Sequence, residues 1–183
     1  MKKSLYFFLI LLLTSLSCNN PKIKPSIDTS LDIKNMPTQE SWNSKVIFSD
    51  SGITKAILYA GHLRVFEKEK ETLMDENIKV DFYNSDFKIT STITSKKGRV
   101  DDVTKDLYAI DSVVAVSDSG TIVTTDELLF RYKDKKIVSD KFVTIFSKTE
   151  TIKGYGFKSD QDLQNYVVYN ITYISKTDSS SNK

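Results

Sequence analysis

Strict alternation of apolar and charged residues is the clearest pattern in the chain, and it runs IKVDF at residues 78–82. Successive side chains of a strand point to opposite faces, so the pattern predicts a β-strand with one dry and one wet face. A polar turn at residues 84–86 and a second alternating segment at residues 87–94 complete a predicted hairpin. Asp81 and Lys88 are expected to face water. The side chains expected to face inward are Val80, Phe82, Ile89 and Ile93.

Residues 107–130 predict a second hairpin, because β-branched and aromatic residues flank the turn-forming sequence SDSG at residues 117–120. Val113 and Val114 are both apolar, so alternation leaves the face of each open. A bulge there would move the inner set to the other face of the sheet. The side chains that we expect to point inward are Val113, Val123, Leu128 and Phe130.

Further strand candidates occupy residues 42–48, 53–66, 137–147, 152–157 and 167–174. Gly61 predicts a bulge or bend within its strand, and Lys96–Gly98 predicts a turn. Val143 and Ile145 share one face of their strand. Short strands recur about every 10–15 residues with no helical period, a pattern typical of an all-β sandwich, jelly roll or open barrel.

The N-terminal segment has the features of a secretory signal. Lys2 and Lys3 precede an apolar run at residues 5–13, and small residues lead to Cys18. The run is too short to span a bilayer, which needs roughly 20 residues. The sequence before Cys18 resembles a lipobox, so we expect residues 1–17 to be removed and the Cys18 thiol to be diacylated. The alternative is an ordinary signal peptide cut nearby, which leaves a free thiol.

The remaining domain boundaries follow from composition. All three prolines lie between residues 19 and 39, and residues 18–40 are therefore predicted to form a lipid-anchored flexible tether. Residues 41–174 are predicted to form the folded domain, and the Ser-rich residues 175–183 a disordered polar tail. With a single cysteine the chain can form no internal disulfide.

Charge and motifs argue against several function classes. The net charge of +2 is carried by Lys2 and Lys3, so the rest of the chain is neutral overall and no nucleic-acid partner is expected. Asp101 and Asp102 are adjacent, so on a strand their side chains diverge rather than form an acid–base pair. His62 is the only histidine. We therefore expect no enzyme activity, no cofactor and no metal site.

Six blocks in a fixed order carry a family resemblance. They are IKVDFYN (78–84), SKKGRVDD (95–102), LYAIDSVVAVSDSG (107–120), TTDELLF (124–130), IVSDKFVTI (137–145) and IKGYGFKSDQDLQNY (152–166). GYGFKSDQDL followed by Tyr166 is the most specific. The set resembles the LptC family, the periplasmic component of the lipopolysaccharide export machine, in the lipoprotein form found in Bacteroidetes.

The resemblance implies a twisted, open-sided β-jelly roll of the OstA/LptA-like kind. It implies that a slot takes the acyl chains of lipid A, the lipid part of lipopolysaccharide. One sheet edge would dock onto the inner-membrane transporter proteins LptF and LptG. The other edge, near the C-terminus, would meet the bridge protein LptA or its counterpart. The protein would then sit on the periplasmic side of the inner membrane, anchored through lipidated Cys18.

Combining strand alternation with the resemblance yields two candidate residue sets. The candidate slot residues are Ile57, Tyr59, Val80, Phe82, Ile89, Ile93, Val113, Val123, Leu128, Phe130, Val143, Ile145 and Ile152. The candidate docking edge comprises Gly154, Gly156 and Phe157. The leading hypothesis is a conduit that accepts lipopolysaccharide from the ABC transporter and passes it to the bridge. The alternative is a lipid-anchored β-sandwich interaction module with no lipid slot.

Overall fold

The structure is a computed structural model that describes residues 36–176. Within them the chain forms nine β-strands. The strands are β1 (Gln39–Asp50), β2 (Ile53–Phe66), β3 (Glu71–Tyr83), β4 (Ile89–Asp101), β5 (Leu107–Ser117), β6 (Ile122–Arg131), β7 (Lys136–Phe146), β8 (Glu150–Asp160) and β9 (Tyr166–Lys176). The all-β prediction is confirmed. The predicted signal segment, Cys18, most of the tether and most of the tail lie outside the described residues.

All nine strands belong to one sheet, in which each strand pairs antiparallel with its neighbours in sequence. Short turns connect them, as the polar clusters in the sequence predict. β1 and β9 are the two edges, and within residues 36–176 they do not pair with each other. The sheet is therefore open along one side, which confirms the predicted open-sided fold class.

A line of register shifts crosses the middle of the sheet from β2 to β8, and we call it the bulge line. The shifts lie at Tyr59–His62, Asp75–Ile78, Thr94–Lys97, Ile110–Val113, Thr125–Leu129, Ser139–Phe142 and Lys153–Gly154. β-Bulges bend a strand and increase its twist, so the bulge line divides the sheet into two half-sheets. Gly61 lies at the first of these shifts, but the extra residue belongs to the facing segment of β3, so the bulge predicted within β2 lies in the neighbouring strand.

The two half-sheets fold over each other with their inner faces in contact. The rings of Phe82 on β3 and Phe130 on β6 lie 4.9 Å apart, although they belong to opposite halves and to strands that do not pair. The turn after β8 closes part of the interior, because Leu163 is fully buried there and the Ser91 hydroxyl on β4 donates a hydrogen bond to the Gln161 carbonyl oxygen. The core therefore lies between two halves of the same sheet.

One cross-strand row of aliphatic side chains forms the centre of this core. The row runs through Leu58, Val80, Ile93, Ala115, Val123 and Ile145, each paired with the next and none more than 3% exposed. Because side chains alternate between bulges, this row fixes the inner face of each strand that it crosses on its own side of the bulge line. The expected inward orientation of Val113, Val123 and Leu128 agrees with their complete burial, and Phe130 packs against the core while partly exposed.

Three residues predicted to face inward lie elsewhere. Ile57 pairs with Asp81 and so shares the face opposite Leu58. Tyr59 lies on that same outer face, where its ring contacts lysine ammonium groups. Ile89 is 45% exposed, and the β3–β4 register shifts between Ile89 and Ser91. The sequence AILYA is apolar on both faces, so alternation could not decide the register of β2.

The expected exposure of Asp81 to water is also wrong, because this residue is only 2% exposed. Its carboxylate accepts a hydrogen bond from the Thr92 hydroxyl at 2.7 Å and pairs with the Lys79 ammonium at 2.8 Å. Both partners lie on the outer face. Burial of a charge is tolerated where the charge is paired and hydrogen-bonded, as it is here.

The predicted turn at Lys96–Gly98 is wrong, since β4 continues through these residues to Asp101. Gly98 pairs with Met74 on one side and Ala109 on the other. The two lysines and the glycine have the composition of a turn, but they follow a bulge in a strand that has neighbours on both sides. β3 is likewise longer than predicted and begins at Glu71.

Candidate functional site

An apolar groove of about 360 Å³ opens between the two half-sheets, at the end where β1 to β3 meet the turns after β4 and β6. Its walls come from β-strands of both halves, and its mouth comes from the connecting turns. The residues that line it are Phe48, Asp50, Lys55, Ala56, Val80, Phe82, Val100, Lys105, Leu107, Phe130, Tyr132, Lys135 and Gln161. We call this opening the groove.

The floor of the groove is the top of the hydrophobic core. Val80 and Phe82 are each 1% exposed, and Val100 and Leu107 are also buried. Phe130 covers Phe82 from the opposite half-sheet. The side chains meet the opening with apolar atoms, so the groove can take a hydrocarbon chain without leaving a buried polar group unpaired.

A second depression of about 570 Å³ adjoins the groove beneath β1. The two openings share Phe48, Val100, Lys105 and Tyr132 in their linings. Phe48, on the edge strand, therefore lies between them and is only partly buried.

The structure brings together only part of the candidate slot set. Val80, Phe82 and Phe130 line the groove. Seven others lie inside the core cluster and away from the opening, namely Ile93, Val113, Val123, Leu128, Val143, Ile145 and Ile152. Ile57, Tyr59 and Ile89 are not on the inner surface.

Sequence reasoning missed five apolar groove residues, namely Phe48, Ala56, Val100, Leu107 and Tyr132. Leu107 stood at the end of a predicted strand without being selected, and Tyr132 lies in a charge-rich turn. Alternation carries the signal for Ala56 and Val100 once the register is known, because Ala56 pairs with Phe82 and Val100 pairs with Leu107. No local signal identifies Tyr132.

The three residues predicted as a docking edge do not lie at an edge. β8 pairs with both β7 and β9, so Gly154 and Gly156 are inside the sheet. At Gly154 the close neighbour is the backbone of β9, with the Asn170 carbonyl oxygen against the position of a Cβ atom. Gly156 has φ of 75° and lies under the Tyr169 ring. Phe157 is 1% exposed and belongs to the core.

The edges themselves are β1 and β9, and both present exposed apolar side chains. β1 exposes Trp42 and Ile47. On β9 the exposed apolar residues are Val167, Tyr169, Ile171, Tyr173 and Ile174. A strand edge with free backbone groups can pair with another chain.

His62 ties the edge strand β1 to its neighbours. Its Nε2 atom lies 2.7 Å from Glu40 of β1, and its Nδ1 atom lies 3.0 Å from Asp75 of β3. Arg64 pairs with the second oxygen of Asp75 at 2.6 Å, and the Trp42 ring stacks on the imidazole. The Glu40 hydrogen bond, and next the hydrogen bond and charge of Asp75, raise the pKa of His62 above its ordinary value, against the opposing effects of partial burial and Arg64.

No catalytic constellation accompanies the groove within the described residues. His62 lies outside the groove lining and is held between two carboxylates. No group of three His, Cys, Asp or Glu residues in this part of the chain could hold a metal ion. What residues 36–176 do present is an apolar groove, which suits the binding of an apolar ligand.

Comparisons with known proteins bear on identity. Residues 5–173 match a family model described as "Lipopolysaccharide-assembly, LptC-related". Curated proteins yield no match. Among residues 36–176, no helix is long and apolar enough to cross a bilayer.

Proposed function

The chain belongs to the LptC-related lipopolysaccharide-assembly family and has a role in lipopolysaccharide transport, and on that premise we propose that its groove holds lipid A acyl chains in transit. In this proposal the protein accepts lipopolysaccharide from the inner-membrane ABC transporter and passes it to a periplasmic bridge. The protein acts as a conduit and performs no chemical step.

The observation that carries this proposal is the apolar lining of the groove. Eight of its thirteen lining residues are aliphatic or aromatic. Each methylene that leaves water contributes about 0.8 kcal/mol, so a segment of about five methylenes gains about 4 kcal/mol. A gain of that size corresponds to a dissociation constant of about 1 mM, which is weak enough to permit release of the lipid chain to the next component.

The open edges support the proposed docking. Residues 36–176 form a sheet whose first and last strands each have one unpaired side. Addition of a partner strand satisfies the free backbone groups and extends the sheet, which is the mode called β-augmentation. We assign β1 to the LptF/LptG-type transporter subunits and β9 to an LptA-like bridge protein. Partner strands added beside β1 and β9 would continue the two half-sheets, and so extend the groove between them, in the direction perpendicular to the strands.

Anchoring completes the proposal. Family members are periplasmic and associated with the inner membrane. We propose that diacylated Cys18 supplies the membrane attachment and that the proline-containing residues 19–39 span the distance to the folded domain. Cys18 and most of the second segment precede the described residues. Two acyl chains are sufficient for stable anchoring.

Photocrosslinking in cells tests the groove directly. A benzophenone amino acid replaces Phe48, Phe130 or Tyr132, which are aromatic, partly exposed or exposed, and line the groove. The matched controls are the exposed aromatic residues Phe87 and Tyr155, neither of which lines it. Lipopolysaccharide is expected to crosslink at the groove positions and not at the controls. Equal crosslinking at both sets contradicts a lipid-binding groove.

The outer face of the last strands favours a second function. Phe142 and Tyr155 form an exposed aromatic pair with ring centroids 5.1 Å apart, and Tyr169 and Tyr173 are exposed beside them. Such a surface suits an interaction module that binds protein and no lipid. Depletion of the protein separates the two functions, because only the conduit requires lipopolysaccharide to accumulate at the inner membrane. Normal lipopolysaccharide delivery after depletion leaves the interaction module as the better hypothesis.

A further inference from the structure

Three lysines from separate parts of the chain meet at the mouth of the groove. Lys55 lies on β2, Lys105 lies in the turn after β4 and Lys135 lies in the turn after β6. We call them the rim lysines. The chain after the N-terminal signal, with the rim lysines included, is neutral overall. Three cations at one apolar opening are therefore a local concentration of positive charge.

Within residues 36–176 the rim lysines form no ion pair, although other lysines of the sheet do. Lys79, Lys96 and Lys141 each lie within 3.3 Å of a carboxylate oxygen. The Lys135 ammonium lies over the Tyr132 ring, 3.5 Å from its centroid. An aromatic face attracts a cation and leaves its hydrogen-bond donors available to a ligand.

The charges of the residues that line the groove do not balance one another. Asp50 is the one acidic residue among the residues that line it, and it stands against three lysines. Asp50 is exposed, and its carboxylate accepts a hydrogen bond from the adjacent Ser51. The mouth therefore keeps an excess of positive charge directly above an apolar floor.

We infer that the rim lysines bind a phosphate group on the headgroup of the lipid whose acyl chains occupy the groove. This inference rests on the proposed function and names the part of the lipid that the groove alone does not recognise. A phosphate monoester carries about −1.5 to −2 charges at neutral pH, which matches the excess of three lysines over one aspartate. A carboxylate carries one charge and matches it less well.

The division of contacts follows from the geometry. Acyl chains gain free energy from apolar burial in the floor, and this gain is insensitive to the headgroup. The phosphate gains from three partly exposed cations, each worth about as much as a surface ion pair. Together the three contacts correspond to about a tenfold change in affinity. The floor thus retains the lipid and the rim selects its charge and sets its orientation.

The test replaces all three rim lysines with glutamine (K55Q, K105Q and K135Q together). Glutamine removes the charge and keeps two of the four side-chain methylenes of lysine, so part of the packing at the mouth is retained. The matched control replaces three exposed lysines outside the groove, namely Lys68, Lys88 and Lys148, with glutamine. Equal thermal midpoints for both variants and the wild type confirm that folding is unchanged.

The full chain, in a zwitterionic detergent, is titrated with diphosphorylated lipid A and with the same lipid A after removal of both phosphates. The rim variant is expected to bind the phosphorylated lipid about tenfold more weakly than the wild type and the dephosphorylated lipid equally well. The control variant is expected to match the wild type with both. Added salt should weaken binding of the phosphorylated lipid to the wild type more than to the rim variant.

The outcomes separate this inference from the proposed function. If the wild type binds both lipids equally, or if the rim variant binds the phosphorylated lipid like the wild type, the rim lysines do not bind phosphate and the apolar groove stands. If the wild type binds neither lipid and the groove positions capture no lipopolysaccharide in cells, both proposals are wrong. Equal weakening by the rim and control variants points to overall charge and also overturns the inference.

Discussion

Substitution of Gly154 by alanine is expected to loosen the edge strand β9 while the rest of the sheet stays folded. Gly154 is buried in β8, between Val143 of β7 and Ile171 of β9. A Cβ atom there would meet the Asn170 carbonyl oxygen and would lie 2.8 Å from Val168 Cγ1 and 3.0 Å from Ile171 Cα. Two of these neighbours are backbone atoms, so rotation of a side chain cannot relieve the contact.

The expected cost follows from comparison with a second glycine inside the sheet. Overpacking of a filled interior costs about 1–3 kcal/mol, and we expect G154A to fall in that range. At Gly98 of β4 a Cβ atom would meet the terminal methyl of Met74 at 3.0 Å, which is the flexible end of a side chain. Alanine also lowers the entropy of the unfolded chain, a gain of about 0.4–1 kcal/mol, so G98A should stay within about 1 kcal/mol of the wild type.

Urea denaturation and amide hydrogen exchange together check this prediction. G154A should lower the free energy of unfolding and should speed exchange at β9 amides, because β9 has a strand neighbour on one side only. Amides of β3 and β4 should exchange in proportion to the global loss. If G154A is as stable as the wild type and β9 stays protected, then β9 does not pass as close to β8 as the structure places it.

Three further predictions concern the core, an ion pair and pH. Phe82→Ala should lower the free energy of unfolding by about 3–5 kcal/mol, because Phe82 is 1% exposed and fills the floor of the groove. The control Phe146→Ala, at a 43% exposed ring, should lower it by less than about 1 kcal/mol in the same urea series. Equal losses of stability in the two variants contradict the assigned register. Asp81→Ala should lower the free energy of unfolding by about 1–3 kcal/mol, because it removes the buried carboxylate that pairs with Thr92 and Lys79. The control Asp134→Ala, which removes an exposed ion pair with Arg131, should lower it by less than about 1 kcal/mol. A larger loss for Asp134→Ala than for Asp81→Ala contradicts this prediction. The pKa of His62 is raised in the folded protein, so its contribution to stability should be complete below its ordinary pKa of about 6.5 and should disappear as pH rises through the raised value. His62→Gln should abolish this pH-dependent loss of stability, measured by urea denaturation across the pH range. If the variant loses stability with pH as the wild type does, His62 is not the source of the loss.

Alternation of apolar and polar residues was sufficient to predict the inner face of strands whose two faces differ clearly in polarity. β7 is the best example, because Val143 and Ile145 are buried while Phe142 and Phe146 are exposed, as alternation predicts. It failed in β2, where both faces carry apolar residues. Ile57 is 5% exposed on the outer face, so even burial does not distinguish it from Leu58 on the inner face. Only the pairing partners of β2 decide its register.

The bulges left a signal in the sequence that alternation does not capture. Glu76 and Asn77 in β3, and Asp111 and Ser112 in β5, all have positive φ. Asn and Asp adopt this conformation more readily than most residues. In β5 the pair interrupts an otherwise apolar strand, so two adjacent polar residues in mid-strand were an available indication of a bend. In β3 the pair lies among other polar residues and does not stand out. The polar residues of β3 instead led to a prediction of only its last part as a strand.

The position of the groove depends on the bulge line more than on any single strand. Phe82 and Phe130 are separated by three strand positions in the sheet, so a flat sheet would keep their rings more than 10 Å apart at the usual spacing of about 4.8 Å. They meet because each strand bends at its bulge and the half-sheets fold together. The same bend carries Lys105 and Lys135, which belong to turns, over the floor formed by β2 and β3. The periodicity of a strand reports only which side chains share a face, and so it does not predict how far the strand bends at a bulge. The β5 bulge holds one residue more than the facing segments of β4 and β6. Deletion of Ser112 alone should therefore separate the walls of the groove and abolish lipid capture at Phe130 before it abolishes β-structure measured by circular dichroism.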